Sequence, residues 1–414
     1  MHEWTMADFA FPRDLIAPIK SRWEVVPEQQ YELPEDHTLQ CLLEICYHAS
    51  SRTSEQRAVQ CVVAYASCSN VPQGALRLSH PVMLTDSELV RLAPVTQHRQ
   101  TVIGCGQMDG TLRIWGFFDY GHAWVQHSSG DPPAVPIQLS DFPPDCLTIT
   151  IERPGALTIS QGRTRLVRLR DGRVIFPQED PFQSDQNPLG RFFHQMIDEL
   201  PKANLLRRPS PLENSTVEHR TLLNIYRTSI LAILERIRLT RHGGSVVISL
   251  VPLNEQLAHV TYTVSEDTGL AGEFLAYGLL NDSLRESNSD SEAAEVERCH
   301  TQLDLYRTSR QLVRGISRIS LLAAADGAVL LDGHLRIQGF GVRFPALLSP
   351  GATVLDAVSG SRYPCDQWGL RHQSVFSLCH KCEHAIGLIV SQDGDVKAVK
   401  ADDGLLMFWD GILD

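Results

Sequence analysis

Two stretches far apart in the chain carry one pattern, and that repetition constrains the fold more than any other feature of the sequence. LVRLAPVTQHRQTVIGCGQMDGTLRIWGF, starting at Leu89, lies without gaps on LVRGISRISLLAAADGAVLLDGHLRIQGF, starting at Leu312. Both open on LVR and reach D-G-x-L-R-I-x-G-F at the same offset. An Asp-Gly turn between apolar runs is a hairpin signal that recurs wherever the chain turns tightly. No turn requires an LVR at an identical distance, so the pattern predicts two copies of one α/β arrangement. Downstream, PGALTISQGRTRLVRLRDG from Pro154 resembles HAIGLIVSQDGDVKAVKADDG from His384 after a modest deletion. Upstream, LLEICYHASSRTSEQRAVQCVVAYAS matches the helix and strand that precede the second copy. The first copy has Ile103, Gly104 and Cys105 where the second has Asp326, Gly327 and Ala328, and it has no equivalent of Arg371 and His372.

In the second copy, residues 220–241 place Leu222, Ile225, Ile230, Ile233, Leu234 and Ile237 near helical spacing. HGG then supplies a C-terminal stop, and SVVISLVP reads as a buried strand. The arginines between those apolar positions read as a solvated helix face. A polar surface loop, NDSLRESNSDSEAAEVE, enters a second helix expected from about Ala293 to Ala324. AVLLD and LRIQGFGV flank a turn at Asp332-Gly333, and AIGLIVSQDGDVKAVK repeats strand, Asp-Gly turn and strand. Strands mixed with long helices predict an α/β fold: a mixed β-sheet flanked by helices in the C-terminal half, preceded by an α/β domain that is a degenerate copy of it. The Pro- and charge-rich stretch from EDPFQSDQNPLGRFF to RRPSPLENS divides an N-terminal domain, 1–178, and a linker, 179–216, from a C-terminal domain, 217–414.

A formal net charge of -12 argues against broad, sequence-independent nucleic-acid binding. The N-terminal MHEWTMADFAFPRDL has neither the cationic nor the apolar region of a secretory signal, and apolar runs such as VVISLVP are of strand length. The expectation is a cytoplasmic protein that does not enter membranes. Ten cysteines spread without a compact framework read as reduced, buried thiols. In CHKCEH, Cys379, His380, Cys382 and His384 have ligand-like chemistry, but no second ligand pair follows, and the bland reading is a helix with one face to solvent.

Asp326 stands between an apolar helix and a strand in AAADGAVLLD, where a carboxylate is ordinarily a cap or turn residue. In GLRHQS, Arg371 and His372 follow Gly369, and their donors suit an anion. Gly339, Phe340, Gly341 and Val342 lie in a strand pattern, and Ser391 to Gly394 in a hairpin turn. In this order DGAVLLD, GFGV, GLRHQS and IVSQDGDV resemble the diadenylate cyclase (DAC) domain, the ATP-using domain of the DNA integrity scanning protein and its relatives. That family carries DGA, GTRHR and V-S-x-[ED] motifs at similar spacing, and the resemblance covers roughly Arg220 to Lys400. The N-terminal half is similar, more softly, to sensor-like regions that precede some such domains.

The resemblance implies condensation of two ATP molecules into cyclic di-AMP with release of two pyrophosphates, in a face-to-face homo-oligomer of the DAC-like domains. It assigns Asp326, Arg371 and His372 to catalysis. It assigns Gly327, Ala328, Gly339, Phe340, Gly341, Gly369, Leu370, Arg371, His372, Gln373 and Ser391 to ATP, and Asp326 with Asp393 to Mg2+ or Mn2+. Two positions depart from the family pattern: Leu370 replaces a threonine, and Gln373 replaces an arginine. A glutamine amide donates a hydrogen bond without charge, and losing one charge-assisted contact costs roughly 1 to 3 kcal/mol. The retained residues point to a cyclase regulated by its N-terminal domain; the two departures point to a catalytically degenerate sensor of ATP or a cyclic dinucleotide.

Overall fold

The computed structural model describes residues 9–24, 31–54, 57–67, 75–96, 101–119, 146–162, 164–177, 180–200, 217–265, 269–286, 292–345 and 348–413. The chain divides into two compact units, with the division between residues 178 and 179. Each is a mixed sheet flanked by helices.

The N-terminal unit begins with α1 (Ile16–Arg22) and α2 (Asp36–Ser50). Leu39, Leu42, Leu43 and Cys46 follow the helical period along α2 and are all buried. The strands of its large sheet are β1 (Cys61–Tyr65), β2 (Leu76–Met83), β3 (Thr101–Met108), β4 (Thr111–Asp119), β5 (Leu147–Arg153), β6 (Ala156–Gln161), β7 (Thr164–Arg170) and β8 (Arg173–Ile175), with α3 (Asp86–Leu92) between β2 and β3; a short ladder pairs Thr53–Ser54 with Arg57–Ala58. Their order across the sheet is β8-β7-β6-β5-β1-β3-β4-β2. The β1–β3 pair is parallel and the other neighbours are antiparallel. On one face the core joins α1 and α2 to the strands; on the other, Trp115 stacks on Phe118 and donates its indole N–H to Ala66 O at 2.9 Å.

The C-terminal unit contains α4 (Pro188–Glu199), α5 (His219–Thr240), β9 (Gly244–Ser249), β10 (Tyr262–Thr263), α6 (Ala271–Glu286), α7 (Glu292–Leu322), β11 (Ala328–Asp332) and β12 (Ile337–Val342). It continues with β13 (Thr353–Asp356), β14 (Arg362–Pro364), α8 (Leu370–Lys381), β15 (Ala385–Val390), β16 (Val396–Asp402) and β17 (Leu405–Asp410). The sheet order is β10-β12-β11-β9-β15-β16-β17-β13-β14. SVVIS and AIGLIV are continuous apolar runs because both faces of their strands are covered. Val246, Ile248, Ile386 and Leu388 face the core beneath α4 to α7, while Val247 and Ile389 face the side that α8 covers.

The duplicated pattern is visible in this topology. From the outer hairpin strand inward and across, β2-β4-β3-β1-β5-β6-β7 and β10-β12-β11-β9-β15-β16-β17 follow the same connectivity, with one parallel pair at the same place. The upstream match also holds, since α2–β1 and α5–β9 occupy the same places in the order. The downstream match is out of step by one strand. The sequence aligns β6 with β15, but β5 is the strand that pairs with β1 as β15 pairs with β9. Two apolar hairpins with similar letters account for that echo.

Local differences have physical causes. Asp109 and Gly110 form a two-residue turn, both at positive φ (50° and 73°), with Met108 opposite Thr111. At the matching Asp332-Gly333 the loop is longer and Leu331 faces Ile337. There the Asp332 carboxylate accepts the backbone N–H groups of His334 and Arg336, both at 2.9 Å, and Leu335 takes the positive φ of 52°. Helix α5 ends on Arg241 in the left-handed region, ahead of the glycines expected to stop it. The expected linker contains α4, whose Leu189, Phe192, Phe193, Met196 and Ile197 join the same core as α5. Asn281 to Glu286, expected in a loop, form the end of α6. Residues 120–145, where a first-copy equivalent of Arg371 would fall, lie outside the described residues.

Tyr226, buried in α5 against Phe274, donates its hydroxyl to Gly333 O at 2.8 Å and ties the helix to the β11–β12 loop. Tyr226→Phe is expected to lower stability by about 1 kcal/mol, read as a reduced urea midpoint with an unchanged slope.

Candidate functional site

The order β12-β11-β9-β15 sets four strands side by side, and their register aligns the sequence motifs. Ala328 pairs with Val342 across β11 and β12, and with Ser245 across β11 and β9; Gly244 pairs with Val390 across β9 and β15. One end of the sheet therefore carries, in a row, Gly341 and Arg343, then Asp326 and Gly327, then Gly243, then Ser391 and the turn after it. At about 4.8 Å per strand, the row is roughly 14 Å long.

Two glycines make the first contact in the row. Gly327 sits at φ 110°, and a Cβ there would stand 2.6 Å from the Gly341 carbonyl carbon; Gly341 itself has φ 63°. Only glycine lets the two backbones approach this closely. The approach leaves Asp326 outside the ladder, its side chain 92% exposed and its Oδ2 3.6 Å from Arg343 Nη2. Beside it Tyr262 of the edge strand stacks on Phe340, with ring centroids 4.8 Å apart. Ala328 packs its methyl group into the core, and Gly339 lies between Leu330 and Thr263 within the sheet ladder, so Gly341 is the glycine of GFGV at the row's end.

The other half of the row is built around α8. Gly369 is its N-cap, so Leu370, Arg371 and His372 form the first turn. Arg371 occupies the room left by a missing side chain: a Cβ on Gly243 would stand 2.6 Å from its Nη1 and 3.1 Å from Gln392 N. The guanidinium thus lies between the end of α5 and the β15–β16 turn. Within that turn the Ser391 hydroxyl accepts Asp395 N at 3.0 Å, and Gly394 takes φ 88°. Asp393 is exposed at the tip.

His372 points elsewhere. Its ring lies 5.3 Å from that of Trp368 and 6.1 Å from that of Phe376. Burial, reinforced by the charges of Lys397 and Arg371, lowers its pKa to about 4, against weaker opposing effects from Asp410 and Asp395. It is a neutral imidazole at pH 7, able to donate one hydrogen bond and carrying no charge. Lys397 explains much of this environment: buried, it contacts Asp410 at 2.8 Å and Asp395 at 4.0 Å, and stands 5.4 Å from the Trp368 ring centroid.

Gln373 is engaged away from the row. Its amide donates to Trp368 O at 2.5 Å and to Asp366 O at 3.4 Å, closing the turn that precedes α8. Leu370 is 78% exposed. Further along the helix, Cys379 faces the core, where burial first of all raises its pKa to about 12, and its thiol donates to Val399 O. His380 and His384 are exposed, so the side chains of CHKCEH do not share a face. Among the described residues, no group of three or more His, Cys, Asp and Glu is assembled to hold a metal ion.

Arg343, Lys397 and Asp395 were not singled out by the sequence. Lys397 had a signal, since a lysine inside the apolar strand VKAVKAD calls for a buried partner. Arg343 had none: its place follows from a backbone bridge to His259, far away in the chain.

One comparison with known protein families falls in the N-terminal unit. A family model described as a probable sensor domain, DACNV, matches residues 28–119. The N-terminal unit carries a probable sensor domain. No curated protein matches the chain. Among solved structures it is similar to the crystal structure of a hypothetical membrane spanning protein from Bacillus cereus, at 15% identity and a TM-score of 0.24, over 53% of this chain and 88% of the other. That likeness is too distant to bear on function. Among the described residues, no helix is long and apolar enough to cross a membrane.

The folded chain keeps His372 neutral down to about pH 4, whereas an unfolded histidine takes up its proton near 6.5. The stability this provides is full above about pH 6.5 and is lost progressively as pH falls toward 4. Between pH 7 and pH 4.5 the urea midpoint of the wild type is expected to fall further than that of His372→Gln.

Proposed function

We propose that the C-terminal unit is a nucleotide-binding unit of the diadenylate cyclase type, condensing two ATP into cyclic di-AMP and two pyrophosphates under the control of the N-terminal sensor domain. The observation that carries this reading is the row at one sheet end. Asp326, Gly327, Gly341, Arg371, Ser391 and Asp393 come from four separate sequence motifs, and they converge on the ends of neighbouring strands and the start of α8.

The chemistry asks for positioning and charge more than for covalent participation by the protein. Each ribose 3′-oxygen forms a bond to the α-phosphorus of the other ATP, the bond to the bridging β-phosphate oxygen breaks, pyrophosphate departs, and the hydroxyl proton passes to solvent. Two nucleotides must face each other, so the reading requires a homodimer of C-terminal units related by a two-fold axis. Arg371 offers a fixed fork to phosphate oxygens. The tight backbone approach at Gly327 and Gly341 leaves room beside Asp326. The donor set fits Mg2+ or Mn2+: Asp326 is an exposed oxygen ligand, and such ions take one or two carboxylates and keep several waters. Asp326, with Asp393 further along the row, would hold the ion, which supplies charge neutralisation at the phosphates. The same reading puts the protein in the cytoplasm, where ATP is available.

A second reading, an ATP or cyclic-dinucleotide sensor without turnover, is favoured by one observation. Gln373 is committed to two backbone carbonyls and His372 is neutral, so α8 brings one charged group, Arg371, where the family motif has more.

Incubation of the purified full chain with ATP and Mn2+ is expected to yield cyclic di-AMP, and Asp326→Asn to lower the rate by roughly a hundredfold or more. ATP binding without product selects the second reading. Neither binding nor product removes both.

A further inference from the structure

Arg343 follows GFGV at the end of β12, on the same sheet end as Asp326. Its backbone is fixed: Arg343 N donates to His259 O at 3.0 Å and His259 N donates to Arg343 O at 2.9 Å. Its side chain is 73% exposed, with a long 3.6 Å contact to Asp326. An anchored backbone that carries an extended, exposed guanidinium into a site is the arrangement of a group that closes on an anion.

The charge balance of the row gives this a purpose. Asp326, Asp393 and Asp395 stand against Arg371, Arg238 and the buried Lys397; Arg238, beside Gly394, is already paired with Glu235, and Lys397 with Asp410 and Asp395. His372 adds no charge at neutral pH, and Gln373 is turned toward Trp368 and Asp366. A polyphosphate bound here needs more cationic donors than Arg371 supplies.

We infer that Arg343 is a phosphate-binding residue of this site, supplying from the end of β12 the second guanidinium that α8 lacks at position 373. The inference rests on the nucleotide-binding reading above and names one residue within it. Arg343 leans on Asp326. When the phosphates and their cation engage Asp326, the guanidinium transfers to phosphate oxygens within the reach it already has. Its fork makes two parallel donor contacts there, which a lysine ammonium does not reproduce.

The test compares wild type, Arg343→Ala and Arg343→Lys as full chains, titrated calorimetrically with ATP and with adenosine in the presence of Mg2+. Arg343→Ala is expected to weaken ATP binding about ten- to hundredfold while changing adenosine binding less than about twofold. Arg343→Lys should fall between. Both variants keep the His259 bridge, which uses backbone atoms alone, so matching thermal melts are expected and establish that the fold is intact. Equal ATP affinity in wild type and Arg343→Ala overturns the inference and leaves the nucleotide reading standing. Tighter ATP binding by the variant overturns it as well, marking Arg343 as an inhibitory partner of Asp326. A parallel loss of adenosine binding overturns it in favour of a packing role. Absence of ATP binding by the wild type overturns the nucleotide reading and this inference together.

Discussion

The parallel pairing of β9 with β11 is the contact on which the C-terminal unit depends. Parallel neighbours need a crossover, and here α6 and the long α7 provide it, so these helices must cover one face of the sheet. The register from Ser245–Ala328 to Ser249–Asp332 also fixes where β11 begins. The residues just before it, Asp326 and Gly327, are thereby held at a strand end beside the start of β9 and the end of β12. A one-residue slip would turn every side chain of β11 to the opposite face and move Asp326 out of line with the neighbouring strand ends. Packing and candidate chemistry are therefore set by the same ladder.

The two units show how one topology serves different ends. In the N-terminal unit β3 starts earlier, at Thr101, and Ile103, Gly104 and Cys105 pair with Val63, Ala64 and Tyr65 of β1 inside the ladder. Ile103 and Cys105 are fully buried, whereas Asp326 at the aligned position stands 92% exposed in a turn. Extending the strand by a few residues removes the open end that a polar group needs. The N-terminal unit, which carries a probable sensor domain, thus has no polar side chain at the place of Asp326.

What was legible in the sequence was periodic. The helix over 219–240, the helix that ends at Leu322 and the strands of both hairpins follow from apolar spacing and turn residues. The mutual position of Asp326, Gly341 and Ser391 was implied by motif order, but it is made by strand register, which no local pattern encodes. The side-chain directions on α8 were not legible at all. GLRHQS reads as three adjacent polar donors, yet successive helix positions are about 100° apart. Arg371 thus turns to Gly243, His372 to Trp368, and Gln373 back along the chain. The α4 helix was missed because prolines and charges at its edges resemble a linker, while its five buried apolar residues need a neighbouring helix to become a core.

Gln373 carries a consequence for where charge can stand at this end of the sheet. Its amide closes two carbonyls of the turn that orients Gly369 and the start of α8. An arginine at this position that extended toward a phosphate would leave both carbonyls without their partner. The fold therefore commits position 373 to the turn and not to the row. A positive charge at this end of the sheet is accommodated more easily on a neighbouring strand than at this helix position.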